Sequence, residues 1–135
     1  MNEILNREVK GQGEFFFRQG DAPNAAYIVQ SGEVEIVKID GEKEVTLQRI
    51  GKNGLFGELA LVGTFPRSAS ARATCATTVV VVSRSKFEEK LARADPFLKA
   101  LISILSDRLR DTSEKMANLS VSSNDLTAMS DVAAE

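Results

Sequence analysis

The sequence predicts a mainly β protein with C-terminal helices, and two observations support this prediction. Residues 7–83 alternate short apolar runs with turn signals, which is typical of an antiparallel sheet. From residue 85 onward the apolar residues recur every three or four positions, which is typical of helices. We therefore expect one domain over residues 1–118, with a sheet structure at about 7–83, helices at about 85–94 and 96–118, and a disordered tail at 119–135.

Six segments are strand candidates because they are apolar, β-branched or alternating. They are EFFFR (14–18), AAYIVQ (25–30), EVEIVKI (33–39), KEVTLQRI (43–50), SASARAT (68–74) and TTVVVVS (77–83). Turn signals separate them, among them an Asp-Gly pair at 40–41 that favours a tight hairpin. Short strands at this spacing indicate a sandwich or a jelly-roll barrel.

The helices carry their own start signals. Ser85 and Glu88 have the spacing of a capping box, and Asp95 precedes Pro96 as an N-cap precedes a first-turn proline. The second helix has an apolar stripe whose members are Leu98, Leu101, Leu105, Leu109, Met116 and Leu119. This stripe is expected either to pack on the sheet structure or, since its spacing is nearly heptad, to pair with a second copy of the chain.

Composition excludes several classes of function. The net charge is −2 and no run of Lys or Arg exists, so we expect no nucleic-acid partner. No apolar stretch is long enough to span a bilayer and none has signal-peptide character, so we expect a cytoplasmic protein without a membrane segment. Histidine is absent, which removes the usual metal ligands and nucleophile–base pairs. We therefore expect a binding module, not an enzyme, with no metal site, no catalytic residues and no cofactor.

One segment, FGELALVGTFPRSASARA (56–73), places a glutamate and an arginine among small and apolar residues. Gly57 would let the backbone approach an anion, and free N–H groups at the following turn would bind it. Arg67 could hold the same anion with its fork of donors. Glu58 would be repelled by a phosphate but would suit a sugar hydroxyl pair, so the ligand deduced is a phosphate joined closely to a sugar. The alternative is a Glu58–Arg67 ion pair that only ties down a loop.

This segment resembles the phosphate-binding cassette of the cyclic nucleotide-binding domain family, whose pattern is close to F-G-E-[LIM]-[AC]-L-x4-P-R-[STA]-A-[TS]. Every position of the pattern is met, and the segment FFFRQGDAPNAAYIVQSGEVEIV is similar to the first hairpins of the family. The likeness covers about residues 7–117. It implies an eight-stranded antiparallel β-roll (jelly-roll) flanked by α-helices.

The resemblance also implies roles for individual residues. Glu58 would bind the ribose 2′-OH and Arg67 the exocyclic phosphate oxygens, and Ser68 occupies the position after the arginine. Backbone N–H groups would complete the phosphate site at Gly57, Leu59, Ala60 and Ala69. Apolar strand residues would line the base pocket, here Ile36, Val45 and Leu47. The last helix would cover the base as a lid through Leu105, Arg108 and Leu109.

The resulting expectation is a regulatory sensor that binds cyclic AMP or cyclic GMP. Cyclic AMP is favoured because the apolar base pocket offers no hydrogen bond to guanine O6, and one bond from Ser68 would only offset that cost. The alternative is a degenerate β-roll that serves as an interaction or dimerisation module without a ligand. An effector protein or self-association through the final helix would then carry the output, and the chain is expected to be either a stand-alone sensor or a domain of a longer one.

Overall fold

The computed structural model describes residues 6–125 of the chain. These residues form two compact units, and the division between them falls between Ala94 and Asp95. The first unit is built from eight strands, a single-turn 3₁₀ helix and one α-helix, and the second contains one long α-helix.

The eight strands form two four-stranded antiparallel sheets. The strands are β1 (Asn6–Lys10), β2 (Phe15–Phe17), β3 (Ala25–Ser31), β4 (Val34–Asp40), β5 (Lys43–Ile50), β6 (Leu55–Phe56), β7 (Ser70–Ala73) and β8 (Thr77–Ser83). One sheet has the order β1-β8-β3-β6 and the other has the order β2-β7-β4-β5. The predicted mainly β fold, an eight-stranded roll with C-terminal helices, is therefore confirmed.

Strand prediction succeeded where apolar runs were long. β5 and β8 have the predicted bounds, and β2, β3, β4 and β7 each overlap the predicted segment. β1 was missed because its sequence, NREVK, is mostly polar and only one of its faces is partly covered. β6 was missed because it has two residues and pairs with β3 only at Tyr27 and Ile28.

The core of the first unit contains small β-branched side chains and a cluster of aromatic rings. Val29, Val34 and Val79 are fully buried, and Phe56 is 1% exposed. The Phe56 and Tyr27 rings stack with their centroids 5.0 Å apart, and Phe16 and Phe17 pack around them. Burying each valine or larger side chain contributes about 1.5–3 kcal/mol, so this cluster anchors the two sheets to each other.

The two α-helices are α1 (Arg84–Ala92) and α2 (Pro96–Asp125). The predicted capping box at Ser85 is wrong, because the N-cap of α1 is Ser83, whose hydroxyl accepts from the Lys86 N–H at 3.1 Å. The predicted N-cap at Asp95 is present, with its carboxylate accepting from the Phe97 N–H at 2.8 Å.

α2 extends beyond its predicted end at residue 118. Residues 119–125, which belong to the predicted tail, are helical. The rest of the predicted tail, 126–135, lies outside the described residues. Among the helices that the structure describes, none combines the length and apolar character needed to cross a membrane.

Candidate functional site

A cavity of about 220 Å³ opens beside the predicted cassette in the first unit. The cavity is lined by β6, by the 3₁₀ helix (Glu58–Leu61) and by the loop before β7. Residues of β2, β4 and β5 complete the lining. All seven residues predicted for the cassette line this cavity, namely Gly57, Glu58, Leu59, Ala60, Arg67, Ser68 and Ala69.

Gly57 turns the chain from β6 into the 3₁₀ helix. Its φ is 71°, in the left-handed region that side-chain-bearing residues rarely adopt. A Cβ atom at this position would lie 3.0 Å from Arg67 Nη1 and 3.1 Å from the Phe17 ring, so the backbone passes directly against the arginine. The first N–H groups of a helix have no partner within it, and here they begin at Glu58 on the wall of the cavity.

Arg67 is a buried cation, with only 7% of its surface exposed. Its guanidinium donates to the Ala25 carbonyl at 2.6 Å and the Gly57 carbonyl at 3.1 Å, and it lies 3.9 Å above the Phe17 ring. No carboxylate among the described residues forms an ion pair with it, and its buried Nε–H has no acceptor there. Burial lowers the pKa of this guanidinium, and the nearby Tyr27, Asp21 and Glu58 act in the opposite direction.

The backbone of Arg67 is held by the turn that follows β2. The Gly20 N–H donates to the Arg67 carbonyl at 2.7 Å, and the Arg67 N–H donates to the Asp21 carbonyl at 2.9 Å. This reciprocal pair joins the Gly20-Asp21 turn to the cassette, although nearly fifty residues separate them in the chain. The turn therefore fixes where the arginine enters the cavity.

The Glu58–Arg67 ion pair, considered above as the alternative to a ligand site, does not form. Arg67 binds backbone carbonyls, and within residues 6–125 no cation lies within ion-pair distance of the Glu58 carboxylate. Glu58 is partly exposed and lines the cavity. A carboxylate without a partner and a buried guanidinium without a counter-ion thus face the same space.

Of the three strand residues predicted for the base pocket, one lines the cavity. Ile36 lines the cavity, but Val45 and Leu47 do not, being 56% and 57% exposed. Gln48 pairs with Ile36 in the regular part of the β4–β5 register, and Leu47 is the unpaired residue of a bulge, because Val37 pairs with Thr46. Gln48 and Ile50 line the cavity in their place.

The predicted lid residues Leu105, Arg108 and Leu109 all lie on α2, in the second unit. Their role over the base stays a prediction. No group of three or more potential metal-binding side chains occurs in the part of the chain that the structure describes.

The two-sheet roll and the cavity together define a class of protein, a β-roll module with a cavity beside a buried arginine. A family model described as "Cyclic nucleotide-binding domain" matches residues 8–94. The chain belongs to this family, which is defined by a regulatory binding domain and not by a catalytic one.

Curated relatives share the same segment. The chain is 34% identical over 117 residues to the cyclic AMP receptor protein of Thermus thermophilus, covering 86% of this chain and 54% of that protein. It is 30% identical over 115 residues to the cAMP-dependent protein kinase type II regulatory subunit of Drosophila melanogaster, covering 85% of this chain and 29% of that protein. The chain thus spans about half of the first relative and less than a third of the second.

Solved structures agree with this assignment. A half-site-occupied form of the EAL enzyme Bd1971 superposes with a TM-score of 0.77 at 30% identity, over 82% of this chain and 99% of that chain. Forms of the same enzyme with cyclic AMP and with cyclic GMP bound superpose with TM-scores of 0.63 and 0.64 at 30% identity. Each covers 82% of this chain and 30% of the matched one.

Proposed function

We propose that this chain binds a cyclic nucleotide as a regulatory module, without catalysing a reaction on it. The observation that carries the proposal is the buried Arg67 guanidinium, which has an unpartnered Nε–H and no carboxylate partner among the described residues. An uncompensated buried charge costs several kcal/mol, so a fold that retains one is expected to receive an anion there. A phosphate with a bidentate geometry matches the donor fork of arginine.

The position of Glu58 supports a sugar hydroxyl as the second group of the ligand. This carboxylate lines the same cavity and follows Gly57 directly, so the group that it binds must be attached close to the phosphate. A 3′,5′-cyclic nucleotide meets this requirement, because its phosphate is fused to the ribose next to the 2′-OH. Glu58 would accept from that hydroxyl, and the N–H groups of Leu59 and Ala69 would donate to the phosphate. The Ala60 N–H, which donates to the Gly57 carbonyl at 3.2 Å in the unliganded protein, would turn to the phosphate as well.

For the base, we infer that cyclic AMP and cyclic GMP bind with affinities within about tenfold of each other. The argument against guanine assumed an apolar pocket, whereas Gln48 places a side-chain amide on the cavity wall. Because an amide has both a donor and an acceptor, it could donate to guanine O6 or accept from the adenine 6-amino group. The Ser68 hydroxyl, which also lines the cavity, adds one neutral bond to either ligand.

Thermal unfolding with cyclic AMP, cyclic GMP and 5′-AMP tests the proposal directly. A ligand that binds only the native state at 100 times its dissociation constant adds about 2.7 kcal/mol, which for a chain of this size raises Tm by about 10 °C. 5′-AMP should give a smaller shift, since its phosphate is not fused to the sugar beside the 2′-OH. If neither cyclic nucleotide shifts Tm at millimolar concentration, the module binds partners without a nucleotide.

Variants at Arg67 show whether the shift comes from the cavity. Arg67→Ala should remove most of it, and Arg67→Lys keeps the positive charge while losing the fork of donors, so it should also bind weakly. Arg49→Ala is the matched control, because Arg49 is 61% exposed and its contact with Glu33 is 3.8 Å long. Equal ligand shifts in all three variants would place the nucleotide outside this cavity.

A further inference from the structure

Three aromatic rings line the cavity, and two of them already have ring or cation partners. Phe17 lies 3.9 Å below the Arg67 guanidinium, and Phe56 stacks against Tyr27. Phe65 is half-buried, and within residues 6–125 it is the one lining ring with neither an aromatic nor a cationic neighbour. Its surface on the cavity is therefore available to a ligand.

The position of the Phe65 ring depends on a glycine. A Cβ atom on Gly63 would lie 2.4 Å from Phe65 Cε2 and 2.6 Å from Cδ2, so the ring lies over bare backbone. Gly63 cannot easily move away, because its N–H donates to the Leu59 carbonyl at 3.0 Å and its carbonyl accepts from the Arg84 guanidinium at 3.1 Å. Because Gly63 has no side chain, the Phe65 ring has room to lie at the cavity wall.

We propose that Phe65 forms an apolar wall over the phosphate end of the cavity and excludes water from the anion that Arg67 binds. Only Pro66, which has a fixed φ, separates Phe65 from Arg67 in the chain, and Gly63 ties the ring to the end of the 3₁₀ helix. Charge-assisted hydrogen bonds strengthen as water is excluded and the local dielectric constant falls. This inference rests on the proposed function and assigns an affinity role to a residue at a variable position of the cassette pattern.

Phe65→Ala should weaken the binding of cyclic AMP and cyclic GMP by the same factor, about five- to tenfold, which corresponds to roughly half the burial of a phenyl ring. The affinity of this variant should also fall more steeply than that of the wild type as NaCl rises from about 0.05 M to about 0.5 M, because its phosphate site is open to screening ions. Phe65→Leu keeps an apolar wall and should stay within about twofold of the wild type. A purely structural role for Phe65 would lower Tm without changing the salt dependence.

Gly63→Ala provides an independent displacement of the ring. Its φ lies outside the left-handed region, so the added methyl group acts through its clash with Phe65. Gly63→Ala should weaken binding about as much as Phe65→Ala does. Adding Gly63→Ala to Phe65→Ala should cost little more, since the clash has gone, and this non-additivity identifies the contact.

Isothermal titration calorimetry of these four variants and the wild type, with purine and pyrimidine cyclic nucleotides, completes the test. Equal losses for all ligands support the wall over the phosphate. A loss of affinity confined to purine nucleotides would show that Phe65 stacks on the base and would overturn the proposal. The proposal would also be overturned if Phe65→Ala kept the wild-type affinity while Arg67→Ala lost binding. If the wild type binds no cyclic nucleotide, the proposed function fails and this inference fails with it.

Discussion

Replacement of Glu58 by alanine should abolish discrimination between a cyclic nucleotide and its 2′-deoxy analogue. In the proposed complex the carboxylate accepts a hydrogen bond from the ribose 2′-OH, and a bond to a charged group contributes about 1.5–3 kcal/mol. The wild type should therefore bind the ribonucleotide about 10- to 150-fold more tightly than the deoxy form. In Glu58→Ala both ligands should bind with the weaker affinity.

The structure limits the effect of this substitution on the unliganded protein. No ion pair involving Glu58 occurs within residues 6–125, and the residue is partly exposed. Its removal should change the free energy of unfolding by no more than about 0.5 kcal/mol, as for an ordinary surface substitution. The loss should consequently be seen in ligand affinity and not in the Tm of the unliganded protein.

Calorimetric titration of the wild type, Glu58→Ala and Glu58→Gln with the two ligands measures this effect. Glu58→Gln keeps an acceptor without the charge, so its ratio of affinities should lie between the other two. Glu42→Ala, in the exposed turn between β4 and β5, is the control for loss of a negative charge. If Glu58→Ala keeps the wild-type ratio between ribo and deoxy ligands, Glu58 does not contact the 2′-OH and the orientation proposed for the sugar is wrong.

Three further predictions concern Gly57, the ion pair between Arg72 and Glu44, and the final helix. Gly57→Ala should lower stability by more than Gly41→Ala and weaken binding, as urea unfolding and titration would show. Both glycines have positive φ, but only at Gly57 would a Cβ atom meet neighbours. The hydrogen bond from Arg72 lowers the pKa of Glu44 below its usual 4.5. The difference in free energy of unfolding between the wild type and Arg72→Met should therefore be largest at neutral pH and should shrink as the pH falls through that lowered pKa. A difference that does not depend on pH would contradict this. Truncation after Asp95 should leave phosphate and ribose binding in place but speed ligand dissociation in stopped-flow measurements, and an unchanged rate would exclude a lid.

Local signals were sufficient to predict most of the roll. The Asp40-Gly41 pair gives a turn with Gly41 at a φ of 64°, and the strands on either side of it have almost the predicted bounds. The cassette residues, all of which line the cavity, were singled out from a glycine, a carboxylate and an arginine at the spacing of the family pattern. These features depend on neighbours in the chain, which a sequence shows directly.

Features that depend on strand pairing could not be predicted in this way. The β4–β5 register pairs Gln48 with Ile36 and so places Gln48 on the cavity wall, while Val45 is exposed. The prediction took the apolar residues of β5, Val45 and Leu47, whereas the β5 residues that line the cavity are Gln48 and Ile50.

The state of Arg67 is the feature on which the proposed function depends most, and pairing across the fold determines it. The sequence left open whether Arg67 pairs with Glu58 or binds an anion. In the structure the carbonyls of Ala25 and Gly57 accept two of its donors and no ion pair with Glu58 forms, which supports the second alternative. These bonds orient the guanidinium but do not neutralise its charge. The unliganded fold thus carries a cost that an anion would remove, and any ligand that supplies the missing charge must stabilise the whole first unit, from the β3 carbonyl to the turn at Gly20.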